Sequence, residues 1–556
     1  MEQESENVYP RLLRNIHKER EINSLLVVHE EKRTPAQVPI IQEIYELRWP
    51  TLLISESQGD FLYRMEYNKE LLAVLLISQR MKEMPMEIMA NILNFLRESR
   101  ILVIAVDVFA EQRKAFRQRL LLSCKWYNMT NVLLSFGGPQ RVGNPDREVV
   151  YFLQPYPNYY WTSLKLQDME DGNLPYFPQH WRNFHNKTLL TYVDRSPLRS
   201  VYYHDDQGNL KINGFVPKFV MLFAEHFNAT LRMAFPLDVN NPKHYTTILA
   251  EMVETNLLDI PMTMHTNPHY DRWFNMTDAY HHDRGQLIVP CAQPLSIQEV
   301  YTILLNATFL GSVIICTVIF SLLHSLIDYI FDNLWEPSRL LLSDRIFPAV
   351  LGQSFTPPHE SPRRILKFIY IMLFIVGLFL NTLFSVNVST LLTSPPKHRQ
   401  IKSPQDILDA SMKILLHDAE AFAMRYRIED YVQAVITTHN ISYLDGLRNN
   451  YNTSYSYYSS STGWQKDTLR QKYLAEKRFC TYDDLILYPY LPWGIPLQQN
   501  SPYREGLNYL LHLVHAYGLM DYWAYSTFLD LLKLKEVSIR DPNMDQGPKQ
   551  LKPAAA

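Results

Sequence analysis

Cysteine is scarce in this chain of 556 residues: there are four, Cys124, Cys291, Cys316 and Cys480, and none forms a C-x-x-C pair, which argues against a zinc site. Glycine is scarce as well, 17 residues against 34 prolines and 35 tyrosines. No glycine-rich phosphate loop follows any apolar run, so the sequence gives no support to nucleotide binding. An excess of charge of either sign is lacking. The formal net charge is -3, without the basic patch or stripe on a basic domain that a nucleic-acid partner calls for. No nucleophile elbow and no HExxH pattern occurs, so the reading is not enzymatic and implies no cofactor and no metal. His281-His282-Asp283 is a conceivable ligand group, but adjacent residues on regular structure do not face one point. The amino terminus, Met1-Glu-Gln-Glu-Ser-Glu, is acidic and has no apolar core, so it does not read as a secretory signal; either a signal is missing from the sequence or the first apolar span directs insertion.

What the chain does have is length and apolar patterning. At 556 residues it is expected to form two to four folded units. After a flexible 1–23, short apolar runs at Ser24, Thr51, Leu71, Ile101 and Asn131 alternate with helical patterns such as the one from Pro85. Strands separated by helices predict an amino-terminal α/β domain over 24–155 with a mostly parallel sheet. A connector over 156–187 is rich in Pro, Asn, Tyr and Trp. A second α/β stretch, 188–305, has a turn at Asp205, an apolar helix from Gly214, a helix near 244–257 and a strand from Leu258.

Two stretches, 308–327 and 368–392, carry no formal charge, and each is long enough to cross about 30 Å of hydrocarbon as a helix. Within the connection 328–367 lies 346–357, Ile346-Phe-Pro-Ala-Val-Leu-Gly-Gln-Ser-Phe-Thr-Pro, which is too short to cross. Such a segment survives at membrane depth only when buried in protein or lining a water-filled cavity. It reads as a re-entrant pore loop, with an ordinary cytoplasmic loop as the other reading. The α/β pattern returns over 397–534, with a strand at Lys413, a helix over 420–438, a further element over 481–490 and one long helix from Pro502 to Lys533. The tail 535–556 is polar. Two spans return the chain to its starting side, so the flanking α/β stretches can combine into one bilobed domain interrupted by a channel.

Basic residues Arg339, Arg345, Arg363, Arg364 and Lys367 between the spans outnumber Arg284, Lys397, Arg399 and Lys402 on the other flanks by one, a slight bias toward a cytoplasmic connection. Sequons at Asn128, Asn186, Asn228, Asn275, Asn440 and Asn452, on both sides of the spans, are glycosylation candidates that fit two lumenal segments. Cys316 falls within the first span. The other three cysteines lie on the outer side, so at least one is free or pairs between chains.

Specific residues then carry a resemblance. Phe384-Ser-Val-Asn387-Val-Ser-Thr-Leu-Leu-Thr393 is similar to the gate motif SYTANLAAFLT of the ionotropic glutamate receptor superfamily, and Pro358, Ser361 and Arg363 to Ile365 resemble the stretch after that family's selectivity loop. Phe479-Cys-Thr, Tyr490-Leu-Pro-Trp-Gly-Ile-Pro-Leu, Asn500-Ser-Pro, Gly518-Leu and Trp523 follow the family's closing order of Cys, Gly-x-Ala, Ser-Pro, Gly and Trp. Gly208, Gly214, Asp259-Ile-Pro-Met-Thr and Asn275-Met-Thr-Asp-Ala-Tyr280 fit the first lobe in order, so the likeness covers about 188–525.

The resemblance implies a periplasmic-binding-protein-like bilobed ligand domain and a cation channel, with Gly352 and Gln353 at the pore and Ser385, Asn387, Ser389 and Thr390 at the gate. The departures from the family pattern are equally informative. The arginine that meets a ligand α-carboxylate through two charge-assisted bonds is replaced by Tyr270 or Asp271, with Arg272 the nearest guanidinium. The acidic residue that would pair the α-amino group falls at Ser460, and an unpaired ammonium there would cost several kcal/mol. The expected ligand is therefore a small molecule other than glutamate, as in the arthropod (insect) chemosensory branch.

Cleft residues by this alignment are Thr263, His265, Tyr270, Arg272, His417, Asp418 and Ser460. The implied assembly is a hetero-oligomer, a tetramer with co-receptor subunits, multi-pass in the plasma membrane with an extracellular ligand domain and no nucleic-acid partner. A third span that the family places after the second lobe is missing from 535–556, which leaves a non-conducting membrane-anchored binding or regulatory subunit as the alternative.

Overall fold

Eight consecutive buried residues, Leu71–Ser78, need cover on both faces of the sheet that holds them. In the computed structural model this strand, β3, lies third in a seven-stranded sheet of order β2-β1-β3-β4-β5-β6-β7. Its neighbours are β1 (Ser24–His29), β2 (Thr51–Ser55), β4 (Arg100–Val106), β5 (Val132–Phe136), β6 (Val149–Gln154) and β7 (Tyr160–Lys165). The first five strands pair in parallel and the last two antiparallel. Leu72, Val74 and Leu76 enter one core with α1 (Val8–Glu19) and α2 (Gln37–Glu46). Leu71, Ala73, Leu75 and Ile77 enter the opposite core with α3 (Met84–Ile92) and α4 (Arg113–Trp126). The described residues are 8–539 without 31–33, 56–62, 64–69, 79–83, 138–148, 166–173, 197, 206, 240–256, 267–274, 306, 333–344, 355–363, 395, 475 and 536.

The five apolar runs thus form the five parallel strands predicted for them. β7 was not legible: it falls in the stretch predicted as connector, because this edge strand has no buried position and so no apolar run. Ligands of doubly wound sheets bind at the carboxyl ends of the strands where the order reverses, here β1 and β3. At that point the Glu30 carboxylate accepts hydrogen bonds from the Ser78 backbone N–H at 3.1 Å and from the Ser78 hydroxyl at 2.9 Å.

Next, β8 (Lys187–Thr191) pairs in parallel with β11 (Ala229–Met233), joined through α5 (Phe215–His226). Between them β9 (Val201–His204) and β10 (Leu210–Asn213) form a hairpin. Its turn is held by Asp205 Oδ1, which accepts from the N–H groups of Gln207 at 3.0 Å and Asn209 at 2.8 Å. The strand predicted from Leu258 is reduced to a single bridge, Met262 to Val193, since Pro261 has no N–H to extend a ladder. The helix predicted near 244–257 lies almost wholly outside the described residues.

The chain divides into two compact units. One comprises Met1–Gln286, Ser459–Leu474 and Tyr488–Ala556; the other comprises Leu287–Tyr458 and Ala475–Leu487. The strand β12 (His281–Pro290) runs from the first into the second, which continues with α6 (Ile297–Leu304), α7 (Ala307–Asp332), α8 (Ile346–Val350) and α9 (Arg364–Thr393). A sheet of order β14-β13-β15-β12-β16 follows, built with β13 (Lys413–His417), β14 (Val435–Thr438), β15 (Tyr455–Ser460) and β16 (Phe479–Cys480), and β17 (Ile486–Trp493) also pairs with β12.

The stretch 420–438, predicted as one helix, is instead α10 (Asp418–Met424), a 3-10 turn and then β14, because the ladder to β13 takes up Val435–Thr438. After α11 (Ile441–Asn449) and β15, the first unit resumes with α12 (Ser461–Gln471), and later adds α13 (Arg504–Ala516) and α14 (Leu519–Lys533). The single helix predicted from Pro502 to Lys533 breaks at Gly518, whose φ of 64° ends one helix in the left-handed conformation before the next begins.

Cys291 and Cys480 form a disulfide beside the paired residues Val289–Cys480 and Pro290–Phe479, while Cys124 is a buried free thiol that burial pushes up to about 12. The bond joins chain that precedes both long apolar helices to chain that follows them. Cys480→Ser should lower the stability of the second unit by about 2–5 kcal/mol. Unfolding of purified protein with and without reductant checks this, and identical transitions would contradict it.

Candidate functional site

Two places in the chain gather polar chemistry, one in each unit. In the first unit, α12 begins with Ser460 as N-cap, its side chain accepting from the Gly463 N–H. The next residues turn to Asp283 on β12: its carboxylate accepts from the backbone N–H and hydroxyl of Ser461, and from the Thr462 hydroxyl at 3.3 Å. Arg199 Nη2 donates to the same carboxylate at 3.0 Å, and its guanidinium lies 3.9 Å from the centre of the Trp493 ring. Asp283 is 1% exposed. A carboxylate so placed is stabilised by the helix N-terminus and by its counter-ion together. Removing either partner of a buried pair costs about 3–5 kcal/mol.

Gly214 makes this arrangement possible. Its φ of +117° and the absence of a side chain bring the start of α5 against Arg199; a Cβ there would lie 2.4 Å from the Arg199 carbonyl oxygen. Nearby, buried Asp194 accepts from Thr263 Oγ1 at 2.8 Å and from the Ser200 hydroxyl. Burial raises the Asp194 carboxyl above its ordinary value, against the pull of those two hydroxyls. His281 Nε2 meets Thr462 Oγ1 at 3.1 Å, the hydroxyl that also reaches Asp283, while His282 stacks on Tyr490 at 4.8 Å.

In the second unit, α7 and α9 are, among the described residues, the helices long and apolar enough to cross a membrane, over Ala307–Ile330 and Arg364–Thr393. They run antiparallel. Phe309 stacks on Phe384 at 5.2 Å near one end, and His324 Nε2 lies 3.0 Å from the Tyr370 hydroxyl near the other. The short α8 packs on both: fully buried Ile346 and Val350 share a core with Val313 of α7 and Leu373 of α9. Gly377 permits this approach, since a Cβ there would lie 2.2 Å from the Ala349 carbonyl oxygen. The chain leaves α8 through hydrogen bonds from the N–H groups of Gly352 to Ala349 O at 3.0 Å and of Gln353 to Pro348 O at 2.9 Å, with Gln353 exposed. The outer faces of the pair are apolar and open, with Ile314 61%, Phe374 63% and Phe379 64% exposed.

The residues predicted for a cleft are distributed as follows. Thr263, 1% exposed, is committed to Asp194; His265 exchanges backbone hydrogen bonds with Gly494 at 2.9 and 3.0 Å, and burial holds its imidazole below the ordinary value. Ser460 caps α12. These three belong to the first unit, and His417, at the end of β13, and Asp418, paired with His439, belong to the second. Tyr270 and Arg272, with 355–357 of the pore segment, lie outside the described residues.

On α9, Ser385, Asn387, Ser389 and Thr390 are exposed, and the Thr390 hydroxyl donates back to Val386 O at 2.8 Å. Of the glycosylation candidates, Asn186, Asn228, Asn275 and Asn440 are exposed, and Asn128 and Asn452 half-buried. Sequence reasoning missed Arg199, His324 and Tyr370, and weighed Asp283 only as part of a metal-ligand group. A charged residue inside a strand pattern and a histidine inside an apolar run were the available signals.

No protein-family model matches the chain, and no curated protein matches it.

Burial lowers the His281 imidazole from 6.5 to about 4. Between those values the unfolded chain takes up a proton that the folded one refuses, so stability is complete above pH 6.5 and is lost as pH falls toward 4. The loss is at most roughly 3 kcal/mol. His281→Gln should flatten the acid limb of stability against pH by a comparable amount. An acid limb identical to that of the parent protein would remove His281 from the account.

Proposed function

We propose that this chain is a ligand-gated cation-channel subunit of the chemosensory type, multi-pass in the plasma membrane, whose extracellular bilobed domain takes a small molecule other than glutamate. The observation that carries the reading is the antiparallel pair α7 and α9 closed around α8. A short helix followed by irregular backbone is tolerated at membrane depth only inside protein or beside water. Buried Ile346 and Val350 supply the first condition, and the exposed turn at Gly352 and Gln353 suits the second. α8 is then the re-entrant helix and Gln353 the residue that ions pass.

The ligand class follows from charge. An amino group would need a carboxylate near Ser460, and the one beside it, Asp283, is already bound by Arg199 and by α12. The small residues Ser385, Asn387 and Ser389 on α9 suit a close helix crossing in an assembly with co-receptor subunits.

The test needs no agonist. Ser389→Trp, co-expressed with co-receptor subunits, should hold the crossing apart and give a leak current without ligand. Adding Gln353→Arg should then lower calcium relative to sodium permeability of that leak by about tenfold, since a fixed cation repels divalent ions most. Normal surface expression with no leak, or an unchanged permeability ratio, would refute the gate and the pore assignment respectively.

A further inference from the structure

Within the first unit, a cavity of about 630 Å³ lies between the amino ends of the seven-stranded sheet, the segment 175–182 and the first two turns of α13. That volume suits a small organic ligand, for which sites of about 300–1,000 Å³ are usual. Its wall is charged instead of predominantly apolar, and most of the charges are committed. Arg20 pairs with Glu70 at 2.7 Å; Arg100 donates to the carbonyl oxygens of Arg20 at 2.8 Å and Glu21 at 2.9 Å. Glu19 accepts from the N–H groups of Tyr176 at 2.7 Å and Phe177 at 3.3 Å.

Two neighbouring residues on the first turn of α13, Arg504 and Glu505, also line the cavity. Arg504 Nε is buried with no hydrogen-bond partner among the described residues. Glu505, beside it, is exposed to the same cavity, and burial raises its carboxyl above the ordinary value, against the pull of the Arg20 guanidinium and the Trp181 indole. The turn is held in place: a Cβ on Gly506 would lie 3.3 Å from Phe223 Cε2 and 3.5 Å from Trp181 Cε3, so α13 sits directly on those rings. An anion is further favoured at this helix N-terminus.

We propose that this cavity is a binding site for a small dipolar organic ion, whose oxyanion is received by Arg504 and whose ammonium is received by Glu505. The ligand would span the amino-terminal sheet and α13, and the site is independent of the membrane reading. Calorimetry on the full chain with β-alanine as probe tests it, with propionate and ethylammonium as the two halves of that probe. β-Alanine should bind, and each half about tenfold or more weakly by comparison. Arg504→Gln and Glu505→Gln should each weaken β-alanine about tenfold while leaving the melting temperature without probe unchanged. No binding of β-alanine, equal binding of propionate, or affinity unaltered in both variants would overturn the proposal.

Discussion

The fold depends on one piece of pairing. β12, which precedes the two long apolar helices, pairs through Val289 and Pro290 with Cys480 and Phe479, which follow them. The chain that leaves this sheet must therefore come back to it. Immediately outside the helices the two strands of chain are joined again: Leu295 N–H donates to Pro396 O at 2.8 Å, His398 N–H to Gln293 O at 3.0 Å, and Ala292 N–H to Gln400 Oε1 at 2.6 Å. α7 and α9 are thus one excursion with a common base, and the Cys291–Cys480 bond ties that base covalently. On the proposed reading an excursion with both feet on one side must cross the bilayer an even number of times, and α8 is too short to add a crossing.

Electrostatics in the first unit follow the same economy. Two buried carboxylates have local donors, Asp194 from Ser200 and Thr263 and Asp283 from Arg199 and the start of α12, and half-buried Asp259 accepts from the Leu190 N–H at 2.8 Å. Such pairing is what allows a carboxylate to remain inside protein at all. It also means that these groups are spent on the fold. Arg504 departs from that pattern, its Nε buried with no hydrogen-bond partner among the described residues.

Legibility in the sequence tracked continuity of apolar residues. The parallel strands β1 to β5 and the helices α7 and α9 were readable, since each is written as an unbroken apolar run. The edge strand β7, half-exposed throughout, wrote none. Gly518 inside an otherwise helical pattern hid the break between α13 and α14, because one glycine is tolerated within a helix as readily as it ends one. The candidate site was the least readable part. Asp283 and Ser461 are 178 positions apart, and nothing local in either stretch announces the other. The cleft residue Thr263 was chosen by alignment, which is blind to burial.

The central claim is that both α/β stretches share one side of a membrane while the connection between the two spans lies on the other. Glycan mapping tests it directly, using the native sequons at Asn228, before α7, and Asn440, after α9, together with a new sequon inserted between residues 333 and 344. The account requires glycans at both native positions and none at the inserted one. A glycan between the spans, or at only one of the two native positions, would contradict it.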